Sequence, residues 1–202
     1  MTEVPRIALR KPPYTVSPHS FLFGIFFMSI KKLIRTVPDY PKPGIMFRDI
    51  TTLIKDPIGL NLVVKEFCSR YARLRIDKVV GIESRGFIIG APIAYELGVG
   101  FIPIRKKGKL PAKTIGCDYA LEYGTDRIEV HADAILEGEN ILLIDDLIAT
   151  GGTAEAAITL IRRCGGVVVE CAFVVDLPEL GGKKRLEALG ATVFSLTEFE
   201  GH

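Results

Sequence analysis

Ile141-Leu142-Leu143-Ile144-Asp145-Asp146-Leu147-Ile148-Ala149-Thr150-Gly151-Gly152-Thr153 is the stretch that decides how this chain folds. Four large apolar residues run into two adjacent carboxylates, followed by a Thr-Gly-Gly-Thr turn and an amphipathic segment. The order reads as a buried strand, an acidic strand end, a glycine loop and a helix start. Glycines let backbone N–H groups converge on an anion, and a helix N-terminus favours negative charge. A Walker-type loop would carry Lys directly after the second glycine, and Thr153 stands there instead. Carboxylates do not hold a phosphate, so Asp145 and Asp146 are placed to accept hydrogen bonds from sugar hydroxyls or to approach a divalent cation. Cradle and acids together point to a ribose 5-phosphate.

The same alternation extends outward from this strand. Asp56-Pro57 opens a helix whose Leu60, Val63, Val64, Phe67, Tyr71 and Leu74 recur at helical spacing. Strands are expected at Lys78–Ile82, Gly100–Arg105, Arg127–His131, Val167–Val175 and Thr192–Leu196. Helices are expected at residues 28–37, 87–97 and 183–189, and after Thr153, where Ala157, Leu160, Ile161 and Cys164 mark a buried face. The fold class is therefore α/β: a mainly parallel sheet flanked by helices, with ligands at the carboxyl ends of the strands. Residues 106–126 are polar, rich in lysine and glycine, and read as a long loop without periodicity. Such a loop inside a compact domain is often an active-site lid.

At 202 residues the chain fits one domain, and its 48% apolar and 25% charged content is that of a folded soluble protein. A net charge of +2 gives no reason to expect nucleic acid as a partner. Cys68, Cys117, Cys164 and Cys171 lack metal-ligand spacing and read as free thiols in a reducing, cytoplasmic compartment. His19, His131 and His202 are scattered, so no protein-built metal site is expected. Residues 1–27 form an irregular extension set apart from a domain at 28–202. Its apolar run, Phe21–Met28, is too short to span a membrane. It faintly resembles a signal peptide but lacks a cleavage site. The alternatives are a disordered extension or sequence upstream of a true start at Met28.

Three further segments carry chemistry. In Glu83-Ser84-Arg85-Gly86-Phe87 a strand end and a helix start frame Arg85, which can grip an anion; a local Glu83–Arg85 ion pair is the competing reading. Arg105, Lys106 and Lys109 open the long loop, where cations could neutralise a pyrophosphate leaving group. Met46-Phe47-Arg48-Asp49 follows a rigid proline turn, so Phe47 is either core or a stacking platform for a flat base.

At these places, in this order, the chain resembles the type I phosphoribosyltransferases, and among them the adenine-specific members. The segments that carry the likeness are 40–51, 83–87, 105–111, 121–126 and 145–153, within about residues 28–202. The resemblance implies transfer of a phosphoribosyl group from phosphoribosyl pyrophosphate to adenine, giving AMP and pyrophosphate in purine salvage. It implies Mg2+ carried largely by the substrate, a homodimer, and no role for membrane or nucleic acid. It places Asp145 and Asp146 on the ribose hydroxyls, with Ala149, Thr150, Gly151, Gly152 and Thr153 on the 5-phosphate. Arg85, after a cis Glu83–Ser84 peptide, faces pyrophosphate together with Arg105, Lys106, Lys109 and Tyr123, with Arg105 reaching across the dimer. Phe47 and Leu147 sandwich adenine while Met46 and Arg48 read its edge through the backbone. Glu122 on the closing loop is the candidate for proton transfer, with Arg85 the other candidate catalytic group. A phosphoribosyltransferase for another base and a non-catalytic regulator of the same fold are the alternatives.

Overall fold

The computed structural model describes residues 29–120 and 124–201. The 1–27 extension, Glu122 and Tyr123 lie outside the described residues. The chain begins with α1 (Ile30–Leu33), β1 (Arg35–Val37), β2 (Phe47–Asp49), α2 (Thr51–Lys55), α3 (Pro57–Tyr71), β3 (Lys78–Ile82), α4 (Arg85–Leu97) and β4 (Gly100–Lys106). It continues with β5 (Thr114–Ala120), β6 (Thr125–His131), β7 (Asn140–Ile148), α5 (Gly152–Arg163), β8 (Val167–Asp176), α6 (Gly182–Ala188) and β9 (Val193–Glu198).

Seven strands form one sheet in the order β5-β6-β4-β3-β7-β8-β9, with β1 and β2 paired separately. The five strands from β4 to β9 run parallel, and β7 is the middle one. Along β7 side chains alternate between two cores. Ile141 and Leu143 pack with Ala157, Ile158 and Ile161 of α5, whereas Leu142 and Ile144 pack with Phe67 of α3 and Ile93 of α4. The apolar run is continuous because both faces are buried. The α3 helix starts as its sequence predicts: Asp56 Oδ1 accepts from the N–H groups of Ile58 (2.9 Å) and Gly59 (2.8 Å), with Pro57 in the first turn. Leu74 lies beyond that helix and is exposed. The other end is clamped to β8, where Glu170 accepts from Arg70 through two 2.7 Å bonds and from the Tyr71 hydroxyl at 2.6 Å.

Two expectations are corrected. Residues 28–37 are not one helix. The chain leaves α1 after Leu33, and β1 pairs antiparallel with β2, Val37 opposite Phe47. That partner lies beyond a proline turn, so local periodicity does not reveal it, although Thr36 and Val37 favour a strand. Residues 106–126 are not a structureless loop either. β5 and β6 form an antiparallel hairpin, Thr114 opposite His131 and Ala120 opposite Thr125. Ile115, Cys117 and Tyr119 pack toward the α5 side of the sheet, alternating with Gly116 and Asp118. This period of two was present in the sequence but was masked by its glycines and charges.

Candidate active site

The carboxyl end of β7 delivers the chain into a tight turn. Gly151 adopts φ +79°, open to glycine at little cost, and α5 starts at Gly152. The first-turn N–H groups of α5 have no carbonyl within their own helix and face a small hollow of about 120 Å³. Residues 147–154 and Asp145 line it, so Ala149, Thr150, Gly151, Gly152 and Thr153 share one anion-sized cradle. Sequence reasoning missed one residue here. Gly182 N–H donates to Ala149 O at 2.9 Å, and a Cβ on Gly182 would meet Ala149 O and stand 2.9 Å from Gly151 N. The Gly181-Gly182 pair was visible in the sequence; its packing against a loop thirty residues earlier was not.

Asp146 is 5% exposed and ion-paired with Arg85, whose Nε lies 2.7 Å from Oδ2. Asp145, half-buried, accepts the Asp146 N–H through Oδ1 at 2.9 Å. Burial and the neighbouring Asp146 charge push the Asp145 carboxyl well above the ordinary carboxylate range. Burial also raises Asp146, against the pull of Arg85. Gly86 brings α4 close to this pair, for a Cβ there would lie 2.9 Å from both Asp145 Oδ1 and Ile144 O. The Glu83–Ser84 peptide is cis. The two charges of that loop do not pair with each other: Arg85 turns to Asp146, and Glu83 takes Arg105 through contacts of 3.2 and 3.3 Å.

A second cleft, about 350 Å³, opens beside the cradle and shares Asp145, Leu147 and Thr153 with it. Its other walls include Glu83, Arg85, Lys106, Tyr119 and Asp146. Lys106 Nζ pairs with Asp126 at 3.2 Å. Arg105 also donates to Lys109 O at 3.2 Å, while the Lys109 side chain is exposed and does not line the cleft. The hairpin leans on the cradle: a Cβ on Gly152 would sit 3.3 Å from Ala120 O.

The candidate base-binding residues are more dispersed. Met46 is exposed, and half-buried Phe47 meets Tyr40 edge-on with ring centroids 5.2 Å apart. Leu147 lines both cavities, and Phe47 lines neither. The Arg48 side chain turns elsewhere, to Thr36 Oγ1 (2.7 Å) and the carbonyls of Glu200 (2.9 Å) and Gly201 (3.2 Å), which leaves only its backbone for a ligand. Glu122 and Tyr123 lie outside the described residues. Among the described residues no group of three or more His, Cys, Asp or Glu side chains is gathered to hold a metal ion.

Residues 63–195 match the phosphoribosyl transferase domain. The adenine phosphoribosyltransferase of Nitrosospira multiformis is 67% identical over 175 residues, 87% of this chain and 100% of its own length. That of Methylobacillus flagellatus is 66% identical over 86% of this chain and 98% of its own. Among solved structures, the adenine phosphoribosyltransferase of Thermoanaerobacter pseudethanolicus superposes with a TM-score of 0.80 at 46% identity, covering 84% of this chain and 98% of that one. The Giardia lamblia enzyme complexed with 9-deazaadenine gives 0.81 at 38% identity, over 85% and 98%. With two thirds of its length inside the domain match and near-complete alignment to these relatives, the chain belongs to the phosphoribosyltransferase family, within its adenine phosphoribosyltransferase group.

Proposed function

We propose that this protein transfers the 5-phosphoribosyl group of phosphoribosyl pyrophosphate to adenine, forming AMP and pyrophosphate. The observation that carries the reading is the junction of two cavities at Asp145, Leu147 and Thr153: an anion cradle on one side and a cleft walled by Arg85 and Lys106 on the other. A ribose lying across that junction puts its 5-phosphate on the α5 N-terminus and its pyrophosphate among the cations. Asp145 and Asp146 stand between, as acceptors for the ring hydroxyls. A solved Trypanosoma brucei relative, 28% identical, is in complex with AMP, pyrophosphate and ribose-5-phosphate, the ligand classes this reading calls for.

In this reaction the purine nitrogen attacks the anomeric carbon as the bond to pyrophosphate breaks. Positive charge develops on the sugar and negative charge on the leaving group. The acidic pair favours the first, and Arg85, Arg105, Lys106 and Lys109 favour the second. A magnesium ion carried by the substrate would supply charge neutralisation at the pyrophosphate, beside Arg85 and Lys106. Leu147 and Phe47 are the proposed adenine platforms, with Met46 and Arg48 backbone groups at its edge. Glu122 is the proposed proton carrier and Tyr123 a further pyrophosphate contact.

Incubation of the protein with magnesium phosphoribosyl pyrophosphate and labelled adenine, hypoxanthine, guanine or xanthine is expected to give nucleotide with adenine alone. Turnover of another base in preference would redirect the specificity, and none with any base would favour a regulator.

A homodimer is part of the proposal. α4 begins at Arg85 and exposes Ile88 (46%) and Tyr95 (83%), seven residues apart on one helical face. Covering that face would bring a second copy close to the Arg85 loop. Light scattering at micromolar concentration is expected to return twice the 22.2 kDa chain mass, and a monomer mass would refute the dimer. No helix among the described residues is long and apolar enough to cross a membrane. Free thiols fit a reducing compartment, and the cytoplasm is the proposed location.

A further inference from the structure

The two cations that line the leaving-group cleft, Arg85 and Lys106, and the neighbouring Arg105 are each already matched by a carboxylate of the same chain. Arg85 has Asp146, Arg105 has Glu83 and Lys106 has Asp126, at 2.7, 3.2 and 3.2 Å. The first two carboxylates have other work. Asp146 is buried beside Asp145, and Glu83 also accepts the backbone N–H of Lys106 at 3.0 Å. Asp126, the second residue of β6, lines neither cavity and is not among the residues assigned to substrate.

Its carboxylate is nevertheless held still. It accepts from the Arg127 N–H at 2.8 Å and from the Tyr119 hydroxyl at 3.1 Å, and Tyr119 in turn lies against Thr153 of the cradle. Lys106, by contrast, has a 58% exposed side chain on a flexible stem. The pair therefore joins a fixed anion to a movable cation. Asp126 raises the Lys106 pKa, and backbone and side-chain donors lower that of Asp126, so both partners are charged near neutrality.

Pyrophosphate arriving in the cleft must draw Lys106 away from Asp126. Once it has done so, its own negative charge faces a carboxylate that has lost its counter-ion. Both effects oppose retention of the product. Resting on the phosphoribosyl-transfer reading above, we propose that Asp126 is an internal counter-anion that competes with pyrophosphate for Lys106, weakening product binding and speeding its release. The carboxylate fills the lysine's ionic contact between turnovers and reclaims it as pyrophosphate departs. It is a positioning residue and touches no reacting atom.

The test is calorimetric binding of magnesium pyrophosphate to the full chain and to Asp126→Asn, which keeps an oxygen for the Tyr119 hydroxyl while removing the charge. Affinity is expected to rise about five-fold, the scale of an exposed ion pair plus like-charge repulsion. Asp126→Glu is expected to restore the original affinity, and Asp126→Ala supplies the same charge removal should Asn disturb the hairpin. In a Lys106→Met background the gain is expected to shrink to the part that like-charge repulsion supplies, whereas a purely structural role for Asp126 would leave it whole. Unchanged or weaker pyrophosphate binding in the charge-removed variants, or a gain undiminished without Lys106, overturns the counter-anion. If the parent protein makes AMP from adenine, such a result defeats this role alone. If the parent neither turns over adenine nor binds magnesium pyrophosphate, the transfer reading falls with it.

Discussion

Asp146→Asn is expected to lower kcat/KM for phosphoribosyl pyrophosphate about 100-fold, with a much smaller change in KM for adenine. The substitution keeps the shape of the side chain but removes the charge opposite Arg85, 2.7 Å away in a site where Asp146 is almost wholly buried. Truncating one member of a desolvated charge pair costs about 2–5 kcal/mol. Arg85 is partly exposed, so the lower half of that range applies, and about 2.7 kcal/mol is a factor of 100. The sugar would feel the loss twice, through a weaker acceptor for its hydroxyl and through an Arg85 no longer aimed. Steady-state kinetics with each substrate varied in turn measures the split. Equal losses for both substrates would remove Asp146 from the sugar site.

The same pair gives a pH dependence whose sign is set by burial. Both carboxyls are raised above 3.8, so the folded protein holds protons that the unfolded chain releases. Their contribution to stability is greatest in acid and is lost as pH rises through their folded values. Sugar binding needs the opposite, ionised acceptors. The acid limb of kcat/KM for phosphoribosyl pyrophosphate is therefore expected above about pH 4 and not at the value of an ordinary aspartate.

Gly182→Ala is the second large effect. The added methyl would collide with Ala149 O and Gly151 N, both backbone atoms of the phosphate loop that cannot rotate aside. Either α6 or the loop must move, and overpacking of this kind costs about 1–3 kcal/mol. A displaced cradle is expected to raise KM for phosphoribosyl pyrophosphate at least about ten-fold and to lower Tm by several degrees. Gly181→Ala is the control. That glycine has φ +74° but open space around it, so only backbone strain of about 1 kcal/mol is added and the cradle is left in place. A Gly182→Ala protein with unchanged KM would show that the α6 contact does not shape the loop.

These effects differ in how far the sequence announces them. Asp146 stands out from the sequence alone, because adjacent acids between an apolar run and a glycine loop are a local pattern. Its partner does not: Arg85 and Glu83 sit two residues apart yet find separate partners on β7 and β4. The hairpin lies between these cases. Alternation at Ile115, Cys117 and Tyr119 is readable, but a short β-strand declares itself through its neighbour, and β6 begins only after the tip. Arg48 draws notice for its place beside Phe47, whereas its guanidinium is committed to Thr36 and the chain's last described carbonyls.

Local sequence was enough for the alternation of strands and helices, the sheet covered on both faces, and the strand–glycine–helix cradle with its two acids. Periodicity, caps and glycine placement act over a few residues and leave their mark there. Long-range packing set the rest: Lys106 rests on Asp126, Gly182 braces Ala149, and cradle and cation cleft share Asp145, Leu147 and Thr153 as walls. Those contacts depend on strand order and register, which bring together residues separated by tens of positions, and no local pattern encodes them.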